Sequence, residues 1–142
     1  MDVAGDSEKN RNRLVGDKTI QAPKQSKPPT LMYLSIRHFK AVKNAQETTR
    51  VVNELFFPLI RAIPGFVSYY GIETADGGWA SINVFETAEG AAESNKVGIA
   101  FAHDQDLNLG EPEIIAGAII AHTAADNVSE IMTAYRQSLV AA

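Results

Sequence analysis

The chain has 142 residues, of which 45% are hydrophobic and 21% charged, as is usual for one soluble globular domain. It contains no cysteine, which excludes disulfides, thiolate catalysis and cysteine-ligated metal sites. Six Lys or Arg and four Asp or Glu lie in residues 1–30, so the remainder holds seven basic and thirteen acidic residues, about −6 in net charge. A body of that charge repels a phosphate backbone, so we expect no nucleic-acid partner.

Neither a membrane span nor a secretory leader can be read in the sequence. Its apolar runs are shorter than the ~18 residues of a spanning helix, and the N-terminus has no apolar signal core. We therefore expect no membrane association and a cytoplasmic location.

Residues 1–30 form a polar segment without helical or strand periodicity, and it ends in a Lys- and Pro-rich stretch. Because it has too little apolar surface to offset its ordering entropy, we predict a disordered N-terminal extension. The domain is expected to span residues 31–142.

The first half of the domain predicts a strand followed by a helix. Residues 32–39 alternate in character as a strand does. Asn44, with Glu47 three residues later, resembles a capping box that starts a helix. Pro58 lies inside the helical pattern and is expected to kink it near Phe57. Pro64-Gly65 ends this helix.

The second half predicts a hairpin, a helix, a fourth strand and a final helix. Strands Phe66–Glu73 and Trp79–Phe85 flank Asp76-Gly77, a strong hairpin signal. A helix is predicted from Thr87 to about His103. A largely buried strand is predicted over 113–122, and an amphipathic helix over about 125–139.

The predicted order β-α-β-β-α-β with an additional C-terminal helix is an α+β, ferredoxin-like plan with a four-stranded antiparallel sheet. We expect the aliphatic side chains of the third strand to face the helices. The opposite face would then present aromatic and polar side chains: Tyr33, Ser35, Arg37, Trp79, Ser81, Asn83, Phe85 and one of Tyr69 or Tyr70. Such a face favours a homodimer whose sheets meet face to face. The alternative is a monomer whose C-terminal helix covers that face.

Several short segments resemble the antibiotic biosynthesis monooxygenase-like family of dimeric α+β barrels. The segments span residues 31–122 and comprise Met32–Arg37, Phe57–Ile60, Ile63–Phe66, Tyr69-Tyr70, Asp76–Gly78, Ser81–Phe85, Glu93–Asn95 and Pro112–Gly117. The resemblance implies a homodimeric barrel, and it implies a monooxygenase that acts on quinol or polyphenol substrates without metal or flavin. Haem-degrading relatives need a histidine on the second helix. The nearest position here is Asn95, with His103 two turns later, so no haem is expected.

The same resemblance implies a substrate pocket lined by asparagine, tryptophan, tyrosine and arginine side chains. The candidate catalytic residues are Asn83, Arg37 and Trp79, with Arg37 and Asn83 stabilising a developing phenolate. The candidate substrate-binding residues are Tyr33, Ser35, Tyr70, Ser81 and Phe85.

Each of these candidates also has a structural interpretation. Trp79 and Phe85 suit a core or an interface, and Asn83 could join two strands by hydrogen bonds. Arg37 in a half-buried strand needs an acceptor, which a phenolate or carboxylate ligand would provide. An intersubunit salt bridge would also satisfy it.

The alternative function is a non-catalytic ligand-binding or structural dimer whose pocket is filled by its own side chains. The volume of the pocket distinguishes the two. An isomerase or decarboxylase on the same barrel would need a poised acid or base, and none stands out. The three histidines lack ligand spacing, so no metal site is expected.

Overall fold

The computed structural model describes residues 30–141. The predicted disordered extension over residues 1–30 lies outside the described residues, apart from Thr30. Residues 31–142 form one compact unit.

This unit contains four strands and four α-helices. The strands are β1 (Tyr33–Phe39), β2 (Phe66–Glu73), β3 (Trp79–Phe85) and β4 (Glu113–Ala118). The α-helices are α1 (Ala45–Val51), α2 (Phe57–Arg61), α3 (Ala88–Asp104) and α4 (Val128–Ala141), and a π-helix (Val52–Phe56) joins α1 to α2.

Side-chain caps start the first and third α-helices where the sequence predicts them. The Asn44 Oδ1 accepts a hydrogen bond from the Glu47 backbone N–H at 2.9 Å. The Thr87 Oγ1 accepts one from the Gly90 N–H at 3.0 Å. Each cap satisfies a backbone donor that the first turn of a helix leaves free.

The predicted kink takes the form of a π-helix directly before α2. Pro58 has no N–H to donate to the carbonyl of Glu54, so the regular ladder cannot continue through this turn. The structure widens the turn over Val52–Phe56 instead, a common response of a helix to such a defect.

The strands form one antiparallel sheet in the order β2-β3-β1-β4. The register pairs Tyr33 with Phe85 and Arg37 with Ser81 across β1 and β3. This is the predicted ferredoxin-like α+β plan, and it is confirmed.

The polar and aromatic side chains share one face of the sheet and the aliphatic ones the other, as predicted. The prediction was wrong about which of these faces the helices cover. Ser35, Arg37, Ser81 and Asn83 are all buried, and most of them bond to α3 as described below. The polar and aromatic set therefore lies under the helices. The reason is that α3 offers hydrogen-bond partners there, so burial does not orphan these groups.

The opposite face of the sheet is apolar and open. The register places a set of mainly aliphatic residues on it: Leu34, Ile36, Ser68, Tyr70, Ile72, Ala80, Ile82, Val84, Ile115 and Gly117. His38 and Glu113 lie at one end of the same face, 3.5 Å apart. Most of these residues are half-buried or exposed. We call this surface the open face.

The C-terminal elements also depart from the prediction. β4 ends at Ala118 rather than at residue 122, and it is largely exposed because it is an edge strand. α4 has no buried residue, so it does not cover a sheet face as the monomer alternative required. No helix in residues 30–141 is long and apolar enough to cross a membrane; the cytoplasmic location stays a prediction.

Candidate functional site

A buried guanidinium occupies the centre of the layer between sheet and helices. Arg37 is only 1% exposed. Its Nη1 donates to the Ser94 carbonyl and to the Asn95 Oδ1, both at 3.1 Å, and its Nη2 donates to the Asn83 Oδ1 at 3.4 Å. Its Cζ lies 5.8 Å from the centre of the Phe56 ring, a cation–π distance. All these acceptors are neutral.

No carboxylate within the described residues forms a salt bridge with Arg37. Burial lowers the pKa of Arg37, and the nearby Tyr69 opposes that shift. Desolvation of a charge without a counter-ion is costly. The site is therefore electrostatically suited to an anionic or strongly polar oxygen.

Small residues on α3 allow the helix to approach the guanidinium. Gly90, Ser94 and Gly98 are spaced four residues apart, and all three are buried. A Cβ on Gly98 would lie 2.5 Å from the Arg37 Nε. The close approach brings the Ser94 carbonyl and the Asn95 side chain within bonding distance of Arg37.

Asn95 belongs to this cluster, although the sequence indicates for it only the position of a missing haem ligand. Its Oδ1 accepts from both the Ser35 Oγ at 3.0 Å and Arg37. The sequence does contain a pattern from which Asn95 could have been found. Small residues at every fourth position of α3 indicate which face of the helix lies close to the sheet, and Asn95 adjoins that face.

Asn83 is fully buried, yet its hydrogen bonds are all long. Its Nδ2 donates to the Ser35 carbonyl and to the Ser94 Oγ, each at 3.4 Å, and its Oδ1 accepts from Arg37 at 3.4 Å. Bonds of that length are weak. The amide is thus held near three partners without being tightly bound by any of them.

A second group of polar atoms centres on the Ser81 hydroxyl. The Tyr69 hydroxyl lies 2.8 Å from the Ser81 Oγ, and the Trp79 Nε1 donates to the same oxygen at 3.2 Å. Burial raises the pKa of Tyr69; its bond with Ser81 and the charge of Arg37 oppose the shift. Tyr69 is therefore held in its protonated form, and either hydroxyl can be the donor in its bond with Ser81.

A narrow cavity connects these two polar groups. Arg37, Tyr69, Trp79 and Ser81 line it from the sheet. Its helix and loop walls include Val52, Phe56, Phe101, Leu107 and Leu109. Its volume is about 20 Å³, about the space that one buried water needs. With the open mouth included it reaches about 300 Å³.

The structure brings together most of the predicted site residues, but not all of them. Arg37, Trp79 and Ser81 line the cavity, and Asn83 and Ser35 bond to residues of the Arg37 cluster. The remaining three predicted residues lie elsewhere. Phe85 is fully buried in the hydrophobic core, and Tyr33 packs against that core.

The predicted position of Tyr70 in the pocket is wrong. Tyr70 pairs with Ile82 on the open face and is 45% exposed, whereas its neighbour Tyr69 points under the helices. The bulge between Phe66 and Ser68 shifts the alternation of β2, so the sequence alone could not decide which tyrosine enters the pocket.

Among the residues that the structure describes, no three His, Cys, Asp or Glu side chains lie close enough together to hold a metal ion. The titratable groups of the site are the arginine and the tyrosine.

Comparison of the whole fold with solved structures gives several similar proteins. One is the monooxygenase from the ActVA-Orf6 gene of Streptomyces coelicolor, solved with the ligand nanaomycin D. The two sequences are 15% identical and the TM-score is 0.51. The match extends over 70% of this chain and 96% of the S. coelicolor chain. A putative antibiotic biosynthesis monooxygenase from Nitrosomonas europaea is 13% identical, with a TM-score of 0.52, over 69% of this chain and 99% of its own.

The chain has the fold of the antibiotic biosynthesis monooxygenases. Rv0793 from Mycobacterium tuberculosis also shares this fold, at 16% identity and a TM-score of 0.51, over 66% of this chain and 99% of its own. The predicted resemblance is thus confirmed as a fold. No protein-family model matches the sequence, and no curated protein matches it.

Proposed function

We propose that this protein is a monooxygenase-like, cofactor-independent enzyme that binds a small, oxygen-bearing aromatic molecule beside Arg37. The observation that supports it is the fully buried guanidinium, which lines a cavity and whose acceptors among the described residues are all neutral. A phenolate oxygen would supply the missing negative charge.

In the proposed reaction a phenol such as naphthol reacts with dioxygen to give a quinone and water. One oxygen atom of dioxygen enters the ring, the other leaves as water, and the substrate supplies all four electrons. Arg37 and Asn83 stabilise the phenolate, which is the electron-rich form that reacts with dioxygen. Trp79 packs against the ring, and the Tyr69 hydroxyl can donate a hydrogen bond to a substrate oxygen.

The proposal includes a homodimer in which the open faces of two copies meet, as in a dimeric α+β barrel. The open face is the support for this, because a broad apolar sheet surface is rarely left in water. The aliphatic face would thus form the interface, while the polar face is enclosed within each copy.

The narrowness of the cavity favours a second candidate, a non-catalytic ligand-binding or structural dimer. A space of about 20 Å³ holds a water but not an aromatic ring. For a ring to enter, the walls formed by the π-helix and by Leu107 and Leu109 must move apart.

Oxygen consumption with a panel of naphthols and dihydroxynaphthalenes tests the enzyme proposal. We expect uptake above autoxidation with at least one substrate, and incorporation of one atom of isotopically labelled dioxygen into the product. Arg37→Met should abolish the enzymatic part, and Asn83→Ala should lower it by about tenfold or more, a typical effect of losing one transition-state donor.

Lys96→Ala is the matched control, because Lys96 lies on α3 but is exposed. It should retain the wild-type rate. If no substrate is consumed but ligands still raise the melting temperature, the binding protein is the better account. If ligands do not change the melting temperature at all, the structural dimer is the better account.

A further inference from the structure

The C-terminal helix α4 carries an apolar stripe that no element within residues 30–141 covers. Val128, Ile131, Tyr135 and Leu139 lie on one side of the helix and are 39% to 59% exposed. An isolated helix of 14 residues is only marginally stable in water. An amphipathic helix of this length needs a surface on which to bury its stripe.

We propose that α4 of each copy packs on a second copy of this chain and covers the border of that copy's open face. This inference rests on the homodimer part of the proposed function, and it adds an exchanged arm to the interface.

The connection to α4 is long enough for such an exchange. Nine residues, 119–127, separate β4 from α4 without a helix or strand. The Ile119 N–H bonds to the Met32 carbonyl and residues 125–128 form a turn, so about six residues are free to extend. They span up to about 20 Å, whereas a four-stranded sheet is only about 15 Å wide between its outer strands. The arm can therefore cross the width of a sheet.

The border of the open face is where a second layer is most needed. β-sheets twist, so two sheets packed face to face separate towards their edges. Ile115 on the edge strand β4 is 66% exposed, more than any apolar residue of the central strands. A helix placed over this edge would bury side chains that the facing sheet does not reach.

The area that a stable dimer needs supports a contribution from α4. A standard interface buries about 800 Å² on each partner. The central side chains of the open face are already half-buried and can add only part of that area. The four stripe residues would add about 300 Å², at about 80 Å² for each large apolar side chain.

The similar structures indicate that this chain has additional length beyond the shared fold. The S. coelicolor monooxygenase covers 70% of 142 residues, which is about 99. About 43 residues of this chain remain unmatched. Even if all of residues 1–30 are among them, at least about 13 unmatched residues lie in residues 31–142. α4 has 14 residues.

The first test compares dimer dissociation constants by sedimentation of the full chain and of two double variants. Ile131→Ser/Tyr135→Ser removes the stripe, whereas Thr133→Ser/Gln137→Ser changes the opposite side of the same helix. We expect the first variant to weaken the dimer at least about tenfold and the second to leave it within about twofold. If the wild type is a dimer and both double variants dissociate as it does, the proposed packing of α4 is wrong but the dimer stands. A monomeric wild type would overturn both, and oxygen uptake would still test the enzyme proposal separately.

A second measurement shows where the arm binds. Because the chain has no cysteine, Gln137→Cys gives a single site for a spin label on the polar side of α4. This protein is mixed with an isotopically labelled copy that carries no spin label, so any line broadening is intermolecular. We expect the signals of residues around Ile115 to broaden. If the mixture is dimeric and no signal from the sheet broadens, the proposal is contradicted.

Discussion

Gly98 on α3 lies directly against the guanidinium of Arg37, so that a Cβ at this position would be 2.5 Å from Nε and 2.6 Å from Cζ. Real Cβ atoms do not approach other heavy atoms so closely. The absence of a side chain at Gly98 thus allows an arginine to be buried under a helix, with the Ser94 carbonyl and the Asn95 amide as its acceptors.

Gly98→Ala should therefore destabilise the protein, although alanine normally favours a helix by about 1 kcal/mol over glycine. Displacement of the guanidinium from its acceptors should lower the free energy of unfolding by about 1–3 kcal/mol, the usual cost of overpacking. Urea denaturation measures it. Lys96→Ala is the control, because Lys96 lies on the same helix but is exposed. Equal stabilities of the two variants would show that Arg37 can move freely.

Arg37→Met should separate stability from binding. The substitution gives up three hydrogen bonds, but it also removes a buried charge that has no counter-ion, and these effects oppose each other. We expect a free energy of unfolding within about 1 kcal/mol of wild type. Thermal and urea denaturation check this. A loss above about 3 kcal/mol would indicate that the cluster serves the fold rather than a ligand.

Ser81→Ala should leave the buried Trp79 indole N–H without its acceptor and the part-buried Tyr69 hydroxyl without its hydrogen-bond partner. The expected loss is about 1–3 kcal/mol in the free energy of unfolding. Adding Tyr69→Phe should cost less than it does in the wild-type background, because one orphaned donor disappears. Ser138→Ala, in an exposed hydrogen bond on α4, should change stability little. Additive effects of Ser81→Ala and Tyr69→Phe would contradict the shared network.

The stability of the protein should fall at alkaline pH because of Tyr69. Burial raises the pKa of Tyr69 above the ordinary value of about 10. Its stabilising contribution is therefore complete below about pH 10 and is lost as the pH rises towards the folded-state pKa, because the unfolded state releases its proton first. Tyr69→Phe should reduce this loss. Unfolding measured from about pH 9 to about pH 11 tests this, and an unchanged loss in Tyr69→Phe would contradict it.

The sequence was sufficient to predict the element order, both helix caps and the hairpin, because each depends on local chemistry. It was also sufficient to sort Trp79, Ser81, Asn83 and Phe85 onto one face of β3, since alternation along a strand needs no tertiary information. Local sequence could not show which face the helices cover. That depends on the Ser94 carbonyl and Asn95, which lie about 60 residues from Ser35 and Arg37 in the chain.

The choice between Tyr69 and Tyr70 failed for a related reason. Both residues suit a strand, and the bulge in β2 that fixes their directions arises from pairing with β3. The width of the cavity was equally beyond the sequence, because it depends on how Leu107 and Leu109 pack against the helices.

The central claim is that the cavity beside Arg37 binds an aromatic molecule through an ionised oxygen. Trp79 is the only tryptophan of the chain and lines this cavity, so its fluorescence reports on ligands there. We would titrate the full chain and Arg37→Met with 2-hydroxy-1,4-naphthoquinone, a vinylogous acid that is anionic at neutral pH, and with unsubstituted 1,4-naphthoquinone. The account predicts saturable quenching by the anionic ligand, at least about tenfold tighter than by the neutral one, with that difference lost in Arg37→Met. Weak, unsaturable quenching that is the same for both ligands and both proteins would contradict it.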